Sequence, residues 1–187
     1  MRLFLGLPLP PEAGADLARR AKGWEDRPAL RLVKAENWHV TLRFFGEVAD
    51  DRVPDLTALL SSWSKAKGPL TFIDRGWSVF GPTASPRVVV WKLEAMPRVS
   101  RAVESLHRKL EDLGFPGDGK PWRPHVTLAY GRGGDPGPWP SEGSRTRAPV
   151  VFHRAVLFES VLGPGGSVYR ELASASLDSP GTVQPVD

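Results

Sequence analysis

The tetrapeptide His-Val-Thr-Leu occurs twice in the chain, beginning at His39 and again at His125. With average residue usage, two histidines would share their next three residues by chance in only about one of several hundred such chains. Each copy lies in an apolar, β-branched segment typical of a strand, along which alternate residues point to the same face. His39 is therefore expected to share a face with Thr41, and His125 with Thr127. Each copy would place an imidazole beside a hydroxyl.

Two histidines and two threonines suit the cleavage of a phosphodiester bond without a metal ion. One group must deprotonate water, another must protonate the leaving oxygen, and donors must hold the phosphoryl oxygens. The ordinary histidine pKa of about 6.5 lets one imidazole be neutral while the other is protonated. The pattern therefore predicts His39 and His125 as the acid and the base, in either order, and Thr41 and Thr127 as phosphate-binding residues.

Simple strand alternation also predicts which neighbouring side chains join the histidines. Arg43 is expected on the same face as His39, and Arg123 on the same face as His125, where a guanidinium could bind phosphate. Phe44 is expected to point away from His39. Arg43 and Arg123 are therefore candidate substrate contacts.

Other residues are weighed against plain structural roles. Trp122 lies in the loop that leads into the second motif and is a candidate for stacking on a base. His107 and His153 have no threonine two residues later and are expected to be structural or solvated. Zinc is the competing use of paired histidines, but the spacings H-x3-5-H and HExxH are absent, so no metal site is predicted.

The composition is that of an ordinary globular protein. The chain has 187 residues, of which 41% are hydrophobic, and it has no cysteine, which excludes disulfides and thiolate chemistry. No apolar run approaches the roughly 20 residues that span a membrane, so a cytoplasmic protein is expected. The net charge of +4 favours anionic partners.

Apolar periodicity predicts more strands than helices, in an α+β order with strand, helix and motif strand in each half. This repeat suggests two similar lobes whose motif strands face each other across a pseudo-twofold axis. Residues 1–177 are expected to form one bilobed domain, and 178–187 a disordered tail. Strands are predicted at 2–8, 30–33, 38–45, 70–79, 87–93, 123–130, 150–160 and 167–177, and helices at 11–24, 50–67 and 97–113.

The segments HVTLRFFGE and RPHVTLAYGR resemble the paired His-x-Thr motifs of the 2H phosphoesterase superfamily, above all its bacterial and archaeal 2′-5′ RNA ligase-like branch. The opening RLFLGLPLP and the closing segment from Leu162 to Tyr169 are also similar to that branch, so the resemblance omits only the tail. It implies a bilobed fold with two antiparallel sheets around a central cleft and helices outside. It also assigns catalysis to the pairs His39 with Thr41 and His125 with Thr127.

The resemblance implies a metal-independent RNA 2′,3′-cyclic phosphodiesterase that forms a 2′-phosphate end and needs no cofactor. The expected partner is RNA with a cyclic phosphate end, including tRNA fragments, bound by a monomer. Many relatives carry a basic residue where this chain has Tyr130, and Arg132 is a candidate to supply that charge. Alternatives are 2′-5′ ligation of tRNA halves, hydrolysis of a small cyclic nucleotide, and a module that binds RNA ends without turnover.

Overall fold

The computed structural model describes residues 1–65, 67–137, 147–163, 166–177 and 183–185. Within them, ten strands and three α-helices follow one another in an α+β order, with short 3-10 helices at Ala35–Asn37 and Asp50–Arg52. The elements are β1 (Arg2–Pro8), α1 (Pro11–Arg20), β2 (Leu30–Leu32), β3 (His39–Glu47), α2 (Val53–Ser64), β4 (Leu70–Phe80), β5 (Val88–Ala95), α3 (Pro97–Asp112), β6 (His125–Gly131), β7 (Pro149–Phe152), β8 (Arg154–Gly163), β9 (Gly166–Ser176) and β10 (Val183–Pro185).

The helices form where apolar residues recur at helical spacing. Each has a proline in its first turn, where the missing N–H costs no hydrogen bond. α2 packs on β8 and β9, and α3 packs on β4 and β5. The buried stripe of α3 consists of Val99, Ala102, Val103, Leu106 and Leu110.

All strand pairs are antiparallel, and they form two halves that meet at one point. The first half has the order β10-β9-β8-β1-β3, and the second has the order β6-β5-β4-β7, with β2 added to β6. The ladder between β3 and β6 consists of the single pair Val40–Val126. Both valines are fully buried and point to the face that the helices cover. The two predicted sheets are thus the halves of one curled sheet, joined in the middle of the two motifs.

The ladder register around the motifs is the same in both halves, which confirms the predicted pseudo-twofold repeat. The equivalent pairs are Pro8–His39, Leu7–Val40 and Gly6–Thr41 in the first half, and Lys92–His125, Trp91–Val126 and Val90–Thr127 in the second. The next strands outward, β8 and β4, also correspond. Phe158 of β8 pairs with Phe4 of β1, and Phe80 of β4 pairs with Val88 of β5 at the equivalent position.

Some element bounds differ from the sequence prediction. The strand predicted at 150–160 is two strands, β7 and β8, separated by His153. The first helix ends at Arg20, four residues before the predicted end at Trp24. Of the predicted tail, 178–182 and 186–187 lie outside the described residues, whereas 183–185 form β10 and pair with β9.

Two predictions concern the cellular location and the oligomeric state of the protein. In the part of the chain that the structure describes, no helix is long and apolar enough to cross a bilayer. The cytoplasmic location and the monomeric state stay predictions.

Candidate active site

His39 begins β3 and is held in place by a hydrogen bond on each ring nitrogen. Its Nδ1 lies 2.7 Å from the carbonyl oxygen of Asn37, and its Nε2 lies 3.1 Å from the hydroxyl of Thr41. A carbonyl oxygen only accepts, so Nδ1 carries a hydrogen and donates it. In the neutral ring, Nε2 then bears the lone pair and accepts from Thr41. The pairing predicted for His39 and Thr41 is confirmed as a direct contact.

His125 begins β6 and is anchored in the same way. Its Nδ1 donates to the carbonyl oxygen of Arg123, at 2.8 Å. In both motifs the acceptor is therefore the carbonyl two residues before the histidine, and Nε2 is the nitrogen left for chemistry. This contact fixes the orientation of each imidazole, as carbonyls often do for functional histidines.

The four motif side chains lie around the Val40–Val126 pair. In an antiparallel ladder centred on that pair, His39 faces Thr127 and Thr41 faces His125 across the strands. The four side chains share the face opposite the two buried valines, since alternate residues share a face. The electrostatic influence of His125 on the pKa of His39 agrees with this closeness. The structure thus brings all four predicted residues together.

An aromatic wall encloses His39 on the side of its own half. The ring centroid of His39 lies 4.7 Å from that of Phe4, 5.3 Å from that of Tyr169 and 6.0 Å from that of Phe158. A Cβ atom added at Gly6 would lie 3.1 Å from Cδ2 of His39, so glycine there leaves room for the imidazole. His39 therefore packs against an apolar aromatic cluster, with its Nε2 on the side of Thr41.

Burial in this wall lowers the pKa of His39 to about 4. Loss of hydration is the largest cause, because it disfavours the charged ring. The hydrogen bond to Asn37 acts in the opposite direction, and positive charge on His125 lowers the pKa further. His39 is consequently neutral at neutral pH. The same desolvation raises the pKa of Tyr169.

A β-bulge follows the threonine of each motif. Leu42 is skipped in the ladder between β1 and β3, and Leu128 is skipped in the ladder between β5 and β6. A bulge inserts one extra residue and shifts the alternation beyond it. The carbonyl of Leu42 accepts a hydrogen bond from Nε2 of His107, at 2.8 Å, so His107 supports the first bulge.

The bulges bring an aromatic side chain onto each histidine face. Phe44 pairs with Phe4 and stacks on it, with centroids 5.4 Å apart, although alternation predicted that Phe44 points away from His39. That prediction is wrong because of the bulge at Leu42. In the second half Thr127 pairs with Val90 and Tyr130 pairs with Val88. Two steps along β5 thus correspond to three steps along β6, which is the effect of the bulge. Phe44 and Tyr130 both follow their histidine by five residues.

The same shift turns Arg43 to the helix side of the sheet, so its predicted placement beside His39 is also wrong. Arg43 pairs with Leu5, which belongs to the buried core. Its guanidinium is largely buried, lies 3.7 Å from the carboxylate of Glu111 and occupies the space that a side chain at position 117 would need, where the residue is glycine. Arg43 therefore links β3 to α3 and to the loop that follows it.

The remaining predicted substrate contacts lie at different places around the two motifs. Trp122 donates from Nε1 to the carbonyl of Thr41, at 2.9 Å, and thereby joins the loop before β6 to β3. Arg123 is exposed beside His125. The ring of Tyr130 lies under the guanidinium of Arg31, 4.9 Å from its Cζ. Arg132 is exposed just beyond β6, and its N–H donates to Ala29.

Sequence reasoning missed several side chains on the histidine faces. Phe80 lies edge-on to His125, with centroids 5.4 Å apart, in the place that Phe158 has beside His39. Lys92 pairs directly with His125 and points to the same face. These residues come from neighbouring strands far away in sequence, so no local spacing marks them.

The described residues contain no group of three or more histidine, cysteine, aspartate or glutamate side chains arranged to hold a metal ion. Metal independence stays a prediction, and an assay in EDTA tests it.

Known proteins resemble this chain in both sequence and fold. The family described as "LigT like Phosphoesterase" matches residues 7–91, a range that includes the first motif. The RNA 2′,3′-cyclic phosphodiesterase of Thermus thermophilus is 33% identical over 199 residues, covering 95% of this chain and 90% of the relative. The enzyme of the same name from Archaeoglobus fulgidus is 27% identical, covering 92% and 98%.

Solved structures show the same fold. A crystal structure of the Thermus thermophilus protein TT0787 has a TM-score of 0.78 and 30% identity, covering 96% of this chain and 99% of that one. A crystal structure of Escherichia coli LigT complexed with 3′-AMP has a TM-score of 0.70 at 23% identity, covering 94% and 97%. These likenesses confirm the predicted α+β fold class.

Proposed function

Because the chain belongs to the LigT-like phosphoesterase family, we propose that it hydrolyses RNA 2′,3′-cyclic phosphate ends to 2′-phosphate ends by two-histidine acid and base catalysis. The observation that carries this proposal is the pair of anchored histidines, each with its threonine, around the Val40–Val126 link. The names of the Thermus thermophilus and Archaeoglobus fulgidus relatives support the substrate class.

His39 is the base in this mechanism. Its depressed pKa keeps the ring neutral above about pH 4, and its Nδ1–H bond to Asn37 leaves the lone pair on Nε2. When the phosphate binds, the hydroxyl of Thr41 turns from Nε2 to a phosphoryl oxygen. Nε2 then accepts a proton from the attacking water.

His125 is the acid and stands on the opposite side of the phosphate. Water attacks phosphorus in line with the bond to the ribose 3′-oxygen, and that bond breaks. Nε2 of His125 gives its proton to the 3′-oxygen while Thr127 holds a second phosphoryl oxygen. The product is a 2′-phosphate with a free 3′-hydroxyl. His39 then releases its extra proton to solvent, and His125 takes up a proton from solvent.

The test is hydrolysis of a short RNA with a 2′,3′-cyclic phosphate end, in EDTA, with the product end identified. Wild type is expected to form the 2′-phosphate, and His39→Ala and His125→Ala are each expected to lose that activity. A 3′-phosphate product would contradict the assigned geometry. Tight RNA binding without turnover by wild type would instead favour a binding module.

A further inference from the structure

Equivalent positions in the two halves of the cleft differ in charge. The residue that pairs with the histidine is Pro8 beside His39 but Lys92 beside His125. The residue whose carbonyl anchors the histidine is Asn37 in the first half and Arg123 in the second. Two cations therefore lie beside His125 at positions where the half of His39 has neutral residues.

These two cations are available to a ligand. Among the described residues, no carboxylate lies within ion-pair distance of Lys92 or Arg123, whereas their neighbour Arg75 is paired with Glu94. Lys92 and Arg123 are both exposed. Directly paired residues on one face have Cβ atoms about 4.5–5.5 Å apart, which places the stem of Lys92 beside His125.

A groove of about 700 Å³ runs from His125 past these residues. Lys92 and Arg123 line it together with Ser78 and Phe80. Phe80 is 37% exposed, lines the groove, and its ring stands nearly perpendicular to that of His125. A partly exposed aromatic ring next to two unpaired cations matches single-stranded nucleic acid, whose bases stack and whose phosphates are anionic.

We propose that this groove binds the RNA chain on the 5′ side of the cyclic phosphate. Lys92 and Arg123 contact the phosphodiester that joins the terminal nucleotide to the preceding one, and Phe80 stacks on a base. This assignment rests on the proposed function, in which the ribose 3′-oxygen leaves towards His125. The terminal ribose is then on that side, and the chain attached to its 5′-oxygen continues along the cationic half.

The test compares two substrates, adenosine 2′,3′-cyclic phosphate and the dinucleotide UpA that carries the same cyclic end. The measured quantity is selectivity, the kcat/KM for the dinucleotide divided by that for the mononucleotide. Wild type is expected to prefer the dinucleotide at low salt. Lys92→Gln is expected to lower the selectivity about tenfold and to reduce the salt dependence of dinucleotide turnover by about 0.7 in log-log slope, since one phosphate contact is lost.

Matched variants separate this effect from general damage. Lys92→Arg keeps the charge and should keep most of the selectivity, and Lys92→Gln combined with Arg123→Gln should bring it close to one. Lys109→Gln removes an exposed lysine from α3 and should change nothing. Thermal unfolding of each variant checks that it folds.

The outcomes distinguish the groove from the reaction. Equal turnover of both substrates by wild type, or unchanged selectivity in the double variant, would overturn the assignment of the groove to RNA binding. The proposed function would still stand. If wild type hydrolyses neither substrate, the proposed function fails and the groove assignment fails with it.

Discussion

Trp122 and Thr41 belong to different halves of the cleft and are joined by one hydrogen bond, from the indole Nε1 to the threonine carbonyl oxygen, 2.9 Å long. The ladder between the halves consists of a single residue pair. The indole therefore adds a polar link between the halves beside the motif threonine. Catalysis by two histidines on two halves requires such links, because displacements of about 1 Å can cost a hundredfold in rate.

Trp122→Phe is expected to lower both stability and kcat. The lost hydrogen bond should cost about 1–2 kcal/mol of unfolding free energy, and kcat should fall about tenfold as the halves lose their register. Trp63→Phe is the matched control, because Trp63 donates to the carbonyl of Ala102, also at 2.9 Å, in the core. It should lose similar stability without the fall in kcat. Equal kcat in the two variants would show that the link has no catalytic role.

Alanine substitution of the histidines should show that they act as a unit. His39→Ala and His125→Ala are each expected to lower kcat by about 10²- to 10⁴-fold, the usual contribution of general acid or base catalysis. The kcat of the double variant should be little lower than that of the less active single variant, because the two protons move in one step. Single-turnover rates measure this. Multiplicative losses would indicate independent roles.

Tyr169 should control the acidic limb of the pH profile. Since burial keeps the pKa of His39 near 4, kcat/KM of wild type should persist well below the ordinary histidine pKa before His39 is protonated. Tyr169→Ala opens the wall to water, so the pKa of His39 rises and the acidic limb moves to higher pH. Tyr169→Phe keeps the ring and should leave the limb in place. An identical limb in Tyr169→Ala would remove His39 as the base that sets it.

The same shift predicts how stability depends on pH. The unfolded chain binds a proton at His39 below about pH 6.5, whereas the folded protein does so only near pH 4. The contribution is therefore fully present above about pH 6.5 and is lost as the pH falls towards 4, up to about 3 kcal/mol. Denaturation by urea across this range measures it. His39→Phe should have the flatter dependence, and parallel curves would contradict the assignment.

His107 should matter for the bulge at Leu42, because it hydrogen-bonds the backbone carbonyl there. His107→Leu leaves the Leu42 carbonyl without its donor, and we expect a loss of about 1–2 kcal/mol in stability and a lower kcat/KM. His107→Gln supplies an amide donor and should recover most of both. If the leucine variant keeps full activity, the bulge does not depend on this contact.

Much of the fold and the centre of the site could be predicted from sequence, for reasons visible in particular residues. The helices and strands follow from apolar spacing, as in the stripe of α3, and the repeated HVTL motif predicted that His39 and Thr41 share a face. The faces of Arg43 and Phe44 were predicted wrongly because a bulge is defined by the register of the neighbouring strand. Lys92 and Phe80 were missed because only that register brings them beside His125.

The paired bulges also change how the motif itself should be defined. Histidine, threonine and aromatic residue stand at offsets of zero, two and five in both copies, with His39, Thr41 and Phe44 in one and His125, Thr127 and Tyr130 in the other. The repeated unit is thus a six-residue pattern rather than a tetrapeptide. Inserting one residue between the threonine and the aromatic residue would turn the aromatic ring towards the core, and deleting Leu42 or Leu128 would remove a buried leucine, so we expect length changes to be tolerated less well here than exchanges of residue type.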